Sequence, residues 1–203
     1  MAGRLAVVIK DEVTAEAAEI ESDEALIAAV AIGDRQAFAS LVDRHSDRAF
    51  GFAVRIVRVA AEAEDAVQEA FLKVWTEAGR YKADRGRFAP WFYRVLYNHC
   101  VDRLRRKTPV PYEDLSDHPS TDPDPEMMAA TAMRQRKVSA ALDQLPERQR
   151  TAVLLCYFQG LSNREAAEVM EVGVKGLEAL LVRARRQLAE TLKGFEGGED
   201  GRL

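Results

Sequence analysis

Residues 162–186, SNREAAEVMEVGVKGLEALLVRARR, decide how the second half of the chain folds. Ser162-Asn163-Arg164-Glu165 has the S-x-x-E spacing of a capping box, in which serine and glutamate satisfy each other's backbone N–H groups and fix a helix start. Ala166, Ala167 and Met170 then share one face, with small residues for close approach. A short turn over 171–173 follows, and a second helix carries Leu177, Leu180, Leu181 and Leu188 on its buried side. Two helices so joined, the second with outward basic residues, predict a helix-turn-helix. Between 172 and 193 five basic residues (Lys175, Arg183, Arg185, Arg186, Lys193) face two acidic ones (Glu178, Glu190). A solvated helical hairpin could carry the same charges; the capping box and compact turn favour DNA contact. Glu171 stands where such turns often have glycine. Glutamate tolerates positive φ less well, so a slightly different turn is expected.

On the outward side of the second helix lie Lys175, Gly176, Glu178, Ala179, Val182 and Arg183. Arginine reads guanine through two hydrogen bonds, glutamate accepts from cytosine and small side chains meet thymine methyls. Basic residues further along, Arg186 among them, suit phosphates.

The rest of the chain is also patterned for helices, and no alternating strand stands out. A first helix is predicted over 23–32, stopped by Gly33, and Asp34 caps a longer one to about Val59 with Phe38, Leu41, Val42 and Phe50 inward. A third spans about 62–78, where Ala63, Val67, Phe71, Val74 and Trp75 recur at three and four. Pro90 sits near the start of a fourth, where its missing N–H does no harm; Trp91, Phe92, Val95 and Leu96 follow, and it ends near Arg106. Residues 108–126, TPVPYEDLSDHPSTDPDPE, hold five prolines and six acidic residues without Lys or Arg. Such a segment buries too little apolar surface to fold and reads as a solvated tether. Beyond it, Pro146 opens a helix with Val153, Leu154, Leu155 and Tyr157.

Composition narrows the chemistry. The 203 residues carry a net charge of −4, and 47% are hydrophobic, enough for one or two packed cores. Two cysteines, Cys100 and Cys156, and three histidines, His45, His99 and His118, are scattered. They assemble no metal site and read as structural. No cofactor motif and no carboxylate or nucleophile constellation of an enzyme stands out. Neither a membrane-spanning run nor a signal peptide is found, so a cytoplasmic location is expected.

Two blocks together name a family. AEDAVQEAFLKVW (63–75), followed by FAPWFYRVLYNHCVDRLRR (88–106), resembles region 2 of bacterial sigma factors. LDQLPERQRTAVLLCYFQGLSNREAAEVM (142–170) resembles their region 4. With a short linker and no region 3 domain between them, the pair is similar to the extracytoplasmic-function (ECF) group of the sigma-70 family, and GVKGLEALLVRARR (173–186) is most similar to its SigE-like branch. The resemblance implies an all-α chain of two small helical domains. Region 2 is expected over 22–107, the acidic linker over 108–126 and region 4 over 127–193. An extension of unassigned role (1–21) and a disordered tail (194–203) flank them.

The same resemblance implies roles. Asp65, Gln68 and Glu69, with Leu72 and Lys73, correspond to the helix that docks on the β′ clamp helices of core RNA polymerase. Acceptors on that stripe suit a basic partner helix. The loop YKADRGR (81–87) corresponds to the −10 recognition loop, with Lys82, Ala83, Asp84 and Arg87, followed on the next helix by Trp91, Tyr93, Arg94, Asn98 and Arg105. A base flipped from the melted strand needs a pocket with hydrogen bonds and a π-face. Some of the aromatics belong to the core, with Trp91 or Phe92 foremost. Region 4 implies −35 contact and the β flap as a second polymerase partner. Asp114, Asp117, Asp122 and Asp124 in the linker suit either a tether or a path through the basic RNA exit channel. An anti-sigma factor is the expected inhibitor, and a stress or envelope-type regulon the expected target. Glu178 and Ala179 depart from the basic residue and serine common in the family, so no −35 sequence can be copied from relatives.

An acidic chain with one small basic helix is a weak DNA binder by itself, because non-specific affinity comes from neutralised phosphates. Mounted on polymerase, its two reading modules gain effective concentration at a promoter. The competing reading is a stand-alone helix-turn-helix regulator.

Overall fold

The computed structural model describes residues 22–81, 86–106 and 136–197, all helical and without a strand. The expected linker, the segment 1–21, the linker aspartates, and Lys82, Ala83 and Asp84 lie outside the described residues. Four helices form the first half: α1 (Asp23–Ala31), α2 (Arg35–Val57), α3 (Ala60–Glu77) and α4 (Phe88–Arg106). In the second half are α5 (136–143), α6 (Glu147–Val153), α7 (Asn163–Val169) and α8 (Val174–Gly197). Among the described residues no helix is long and apolar enough to cross a membrane.

The helix starts follow from local chemistry. The Ser22 hydroxyl accepts from the Ala25 N–H at 3.2 Å, and the Asp34 carboxylate accepts from Gln36 and Ala37 at 2.7 and 3.1 Å. Gly33, at φ 92°, makes the turn between α1 and α2. α4 is capped from a distance: Glu24 on α1 accepts from the Phe88 N–H at 3.0 Å. A carboxylate there also complements the helix dipole. Asp23 accepts from Arg44 at 2.6 Å and pairs with the ring of His45 at 2.8 Å, which fastens α1 to α2.

α2, α3 and α4 pack on one another around an aromatic centre. Phe52, Phe88 and Phe92 are wholly buried and Phe71 nearly so. The Phe92 ring lies 5.0 Å from Phe71 and 5.7 Å from Phe88, and Phe52 meets Tyr93 edge-on at 5.3 Å. Trp75 is half-buried against Phe38 at 5.3 Å. The sequence puts Trp91 or Phe92 foremost in the core; Phe92 and Tyr93 take that place, while Trp91 is half-buried.

In the second half Leu142, Leu145, Leu154, Leu155, Leu161, Ala166, Ala167, Met170, Leu177 and Leu181 are buried together. After Val153 the helix widens into a π turn over Leu154–Phe158. The widening turns Tyr157 and Phe158 outward, 60% and 46% exposed, where the sequence places Tyr157 on a plain helix. Such π segments are often found at functional sites. α8 continues to Gly197, past the boundary expected at 193.

The capping box forms in full: Ser162 Oγ accepts from the Glu165 N–H at 3.3 Å, and Glu165 accepts from the Ser162 N–H at 2.8 Å. The turn after α7 keeps the backbone that a glycine would give, because Glu171 itself takes φ 52°. The strain is carried by the residue and the turn is not remodelled around it. A left-handed L-residue costs about 1–2 kcal/mol, part of which a glycine's extra unfolded-state entropy offsets. Glu171→Gly is therefore expected to raise stability by about 1 kcal/mol in urea unfolding; a loss of stability would show that the glutamate side chain compensates its backbone.

Candidate functional site

The outer side of α3 is a single polar stripe. Asp65, Gln68, Glu69, Leu72 and Lys73 are all exposed, while Ala63, Ala66, Val67, Ala70, Phe71 and Val74 are buried behind them. Leu72, 61% exposed, is an apolar point among acceptors. Glu69 is oriented from α4: Arg103 donates to its Oε2 at 3.1 Å, and His99 Nδ1 lies 2.9 Å from the same oxygen. The hydrogen bond from Arg103 holds the Glu69 carboxyl below its ordinary value, against a smaller opposing effect of burial. Burial lowers the His99 imidazole below its ordinary value despite the neighbouring carboxylate. The stripe thus presents a fixed anion at neutral pH.

The loop before α4 is tied at its ends. Tyr81 donates its hydroxyl to the Gly86 carbonyl at 2.8 Å, bracketing 82–85. Burial, with Glu24 and Asp23 nearby, pushes the Tyr81 phenol up to about 12, so it stays a donor. Its ring lies 5.6 Å from Trp91. Arg94, Asn98 and Arg105 are exposed on α4, and Arg87 is exposed just before it. Tyr93 is different: 2% exposed, it donates its hydroxyl to Gln159 Oε1 at 2.6 Å. Burial raises its phenol far above the ordinary value.

On α8 the seven sequence candidates Lys175, Gly176, Glu178, Ala179, Val182, Arg183 and Arg186 are all exposed, with Leu177, Leu181 and Ala184 buried on the other side. Spacings of three and four put the seven on one face. Val182 is 57% exposed and offers an apolar contact at the centre. Arg183 folds back to the Ala179 carbonyl at 3.1 Å, and Arg186 pairs with Glu190 at 3.2 Å. Both bonds are surface contacts that a stronger acceptor displaces at small cost.

The two halves also touch each other. Arg87 grips Glu165 with two parallel hydrogen bonds, Nε to Oε1 at 3.0 Å and Nη2 to Oε2 at 2.8 Å. Tyr93 reaches Gln159, and Arg58 donates to the Asp143 carbonyl at 2.7 Å. A polar cleft of about 320 Å³ separates α4 from the helix-turn-helix turn; Asn98, Asp102 and Arg105 line one side and Met170 and Glu171 the other. A second, apolar groove of about 300 Å³ lies on the second half, lined by Val138, Leu142, Val153, Tyr157, Phe158 and Leu188 among others.

Sequence reasoning missed Tyr81, His99, Arg103, Glu165 and this groove as parts of a site. Tyr81 lies inside the quoted loop motif, and His99 and Arg103, four apart on α4, could have been matched to Glu69. The groove depends on the π widening, which leaves no mark in the periodicity. Neither cysteine is an activated thiol. Cys100 is buried and its thiol pushed up to about 12; Cys156 is half-buried and raised for the same reason.

The Arg87 hydrogen bonds, with help from Ser162, hold the Glu165 carboxyl down at about 2 against an ordinary 4.5. For a carboxyl so depressed, the stabilisation is complete above about pH 4.5 and lost as pH falls toward 2. Arg87→Gln is expected to move the Glu165 midpoint up toward 4.5 in an NMR carboxyl titration. An unmoved midpoint would mean that Ser162 alone sets it.

Comparison with known proteins agrees with both halves. The family description "Sigma-70 region 2" matches residues 41–109, and "Sigma-70, region 4" matches residues 135–188. The RNA polymerase sigma-H factor of Pseudomonas aeruginosa is 35% identical over 184 residues, 85% of this chain and 95% of that protein. The ECF RNA polymerase sigma factor SigE of Mycolicibacterium smegmatis is 34% identical, covering 84% of this chain and 69% of that protein. Among solved structures, CnrH in complex with the cytosolic domain of CnrY is similar with a TM-score of 0.64 and 26% identity, over 86% of this chain and 99% of that one. RpoE of Bartonella quintana, in complex with the anti-sigma factor NepR, shares the fold with a TM-score of 0.63 and 22% identity, over 77% of this chain and 96% of that one. Region 2 and region 4 in one chain, with full-length relatives of the same kind, make this protein a member of the sigma-70 family, an ECF RNA polymerase sigma factor and hence a transcription initiation factor, not an enzyme.

Proposed function

We propose that the chain docks on core RNA polymerase through the α3 stripe and directs it to promoters by reading a −10 element with region 2 and a −35 element with α8. The observation that carries this reading is the register of α3. All five docking candidates stand on one exposed stripe, and Ala63, Ala66, Val67, Ala70, Phe71 and Val74 of that helix are turned inward. Asp65, Gln68 and Glu69 offer acceptors to a basic partner helix, and Leu72 supplies an apolar contact at the centre, the usual anatomy of a specific interface. The apolar groove around Tyr157 and Phe158 is assigned to the β flap of the same polymerase. Its lining is almost wholly apolar, and an amphipathic helix laid in such a groove is a common docking mode.

On DNA, the loop 82–85 with Arg87, Trp91 and Arg94 receives the melted −10 strand. Tyr93, Asn98 and Arg105 line or lie behind the same face of α4. Holding an unstacked strand favours the open duplex, so strand opening is driven by binding while polymerase does the chemistry. Lys175, Glu178, Ala179, Val182 and Arg183 face base edges of the −35 element, and Arg186 a phosphate. The protein works in the cytoplasm, on a stress or envelope-type set of genes. CnrH is captured with a partner chain, and together with the family resemblance this supports an anti-sigma factor as inhibitor here. The segment 108–126 serves as the acidic tether. A stand-alone regulator is not favoured, because region 2 as well as region 4 is matched.

Two experiments test these roles. Asp65→Arg combined with Gln68→Ala is expected to abolish co-elution with core polymerase while the helical circular dichroism is unchanged; retained co-elution would refute the docking stripe. Arg183→Ala is expected to relax base preference at one −35 position by about 1–3 kcal/mol, whereas Arg186→Ala weakens all sequences alike and lowers the salt slope by about one. Competition binding to a −35 library at several salt concentrations separates the two; a uniform loss for Arg183→Ala would make it a phosphate contact.

A further inference from the structure

Two residues of α4 converge on Glu69, in the middle of the α3 stripe. His99 and Arg103 are four residues apart, so one helix turn sets them side by side. Both reach the same carboxylate oxygen: Arg103 Nη1 donates to Glu69 Oε2 at 3.1 Å, and His99 Nδ1 lies 2.9 Å from it. An ionised carboxylate only accepts, so Nδ1 carries the proton in this contact. Arg103 is steadied in turn by the His99 carbonyl, to which Nη1 also donates at 3.4 Å. Among the described residues nothing is bonded to Glu69 Oε1. The Glu69 side chain is 50% exposed, against 27% for His99 and 16% for Arg103. The two donors therefore stand behind the carboxylate and hold one oxygen, and the other is left for a partner.

Lys73 shows that this direction is not set within α3. It stands four residues after Glu69, the order in which a helix most readily pairs glutamate with lysine. Among the described residues it nevertheless makes no ion pair and stays exposed. Asp65 and Gln68, the other two acceptors of the stripe, have no side-chain hydrogen bond among the described residues. Glu69 alone of the three is held in advance. We infer that His99 and Arg103 are positioning residues for polymerase docking, fixing Glu69 in the direction in which its second oxygen meets a donor of the basic partner helix. Both act through Glu69 and not by touching the partner. An unheld surface glutamate loses rotamer freedom when it binds, whereas one already held loses little. Against this gain, Arg103 brings a positive charge toward a basic partner. Asp65 on the stripe acts on Arg103, and Asp102 on α4 acts on His99, and these two carboxylates offset it. The inference rests on the docking of the α3 stripe on polymerase.

The test is the affinity of the full chain for immobilised core RNA polymerase. Arg103→Met keeps the apolar stem and removes the donors; it is expected to raise Kd several-fold, as is His99→Leu. His99→Asn keeps an N–H near the position of Nδ1 and is expected to bind almost as the unmodified chain does. In a Glu69→Ala background Arg103→Met and His99→Leu are expected to cause no further loss, because the held group is gone. An NMR carboxyl titration of Arg103→Met is expected to move the Glu69 midpoint up toward its ordinary value. If Arg103→Met loses its helical circular dichroism, the comparison of His99→Leu with His99→Asn carries the test by itself. An equal loss with and without Glu69 would make the two residues merely structural and overturn the inference. Unchanged or tighter binding by Arg103→Met would also overturn it, showing that the pair neutralises the carboxylate and does not present it. The docking reading fails separately: it falls if the chain with Asp65→Arg and Gln68→Ala still binds, whereas a silent Arg103→Met beside a lost Asp65→Arg chain removes the positioning role alone.

Discussion

The packing of Phe92 against Phe71 and Phe88 fixes the rotation of α3 and α4 about their axes, and both outer surfaces of the first half depend on that rotation. A helix turns 100° per residue, so a slip of one position would carry Asp65 or Gln68 toward the core and bring alanines to the surface. Aromatic rings resist such a slip more than aliphatic side chains, because they prefer particular edge and offset geometries. Small residues complete the constraint. Ala63, Ala66 and Ala70 are wholly buried on α3 and let its neighbours approach closely. The core holds two outer faces, the α3 stripe and the exposed side of α4, at a fixed angle; in the proposed function these are the polymerase and DNA faces.

Much of this was legible because helices write their faces into the sequence. The start of α2 at Asp34, the capping box at Ser162, the exposed stripe of α3 and the reading face of α8 all follow from local chemistry and a period near 3.6. The family resemblance rested on those same local patterns. What stayed hidden depends on distant partners. Glu165 carries one legible role, the cap, and a second contact that exists only because Arg87 arrives from just before α4. Tyr93 sits among candidate DNA residues by position, but its hydroxyl finds Gln159 and its ring finds Phe52, both far away in sequence. Glu171 misled in a different way. Positive φ is rare for glutamate but affordable when the turn is over-determined by the helices on both sides.

The acidity of the chain also gains a structural sense. With a net charge of −4, the free protein has little electrostatic attraction to DNA as a whole. The contact of Glu165 with Arg87 also places an acidic group of region 4 on a basic group of region 2. On the proposed reading, polymerase offers separate seats for the α3 stripe and for the apolar groove near the π turn. On that reading, specificity comes from a few weak, well-placed contacts, with polymerase providing most of the affinity.

The central claim is that this chain chooses promoters only as part of polymerase. It is tested most directly by mixing the purified protein with core RNA polymerase and a pool of genomic fragments and sequencing the transcripts. The account predicts discrete start sites that require both components and share two upstream elements at constant spacing. Start sites that do not depend on the chain, or tight retention of a palindromic fragment by the chain without polymerase, would contradict it.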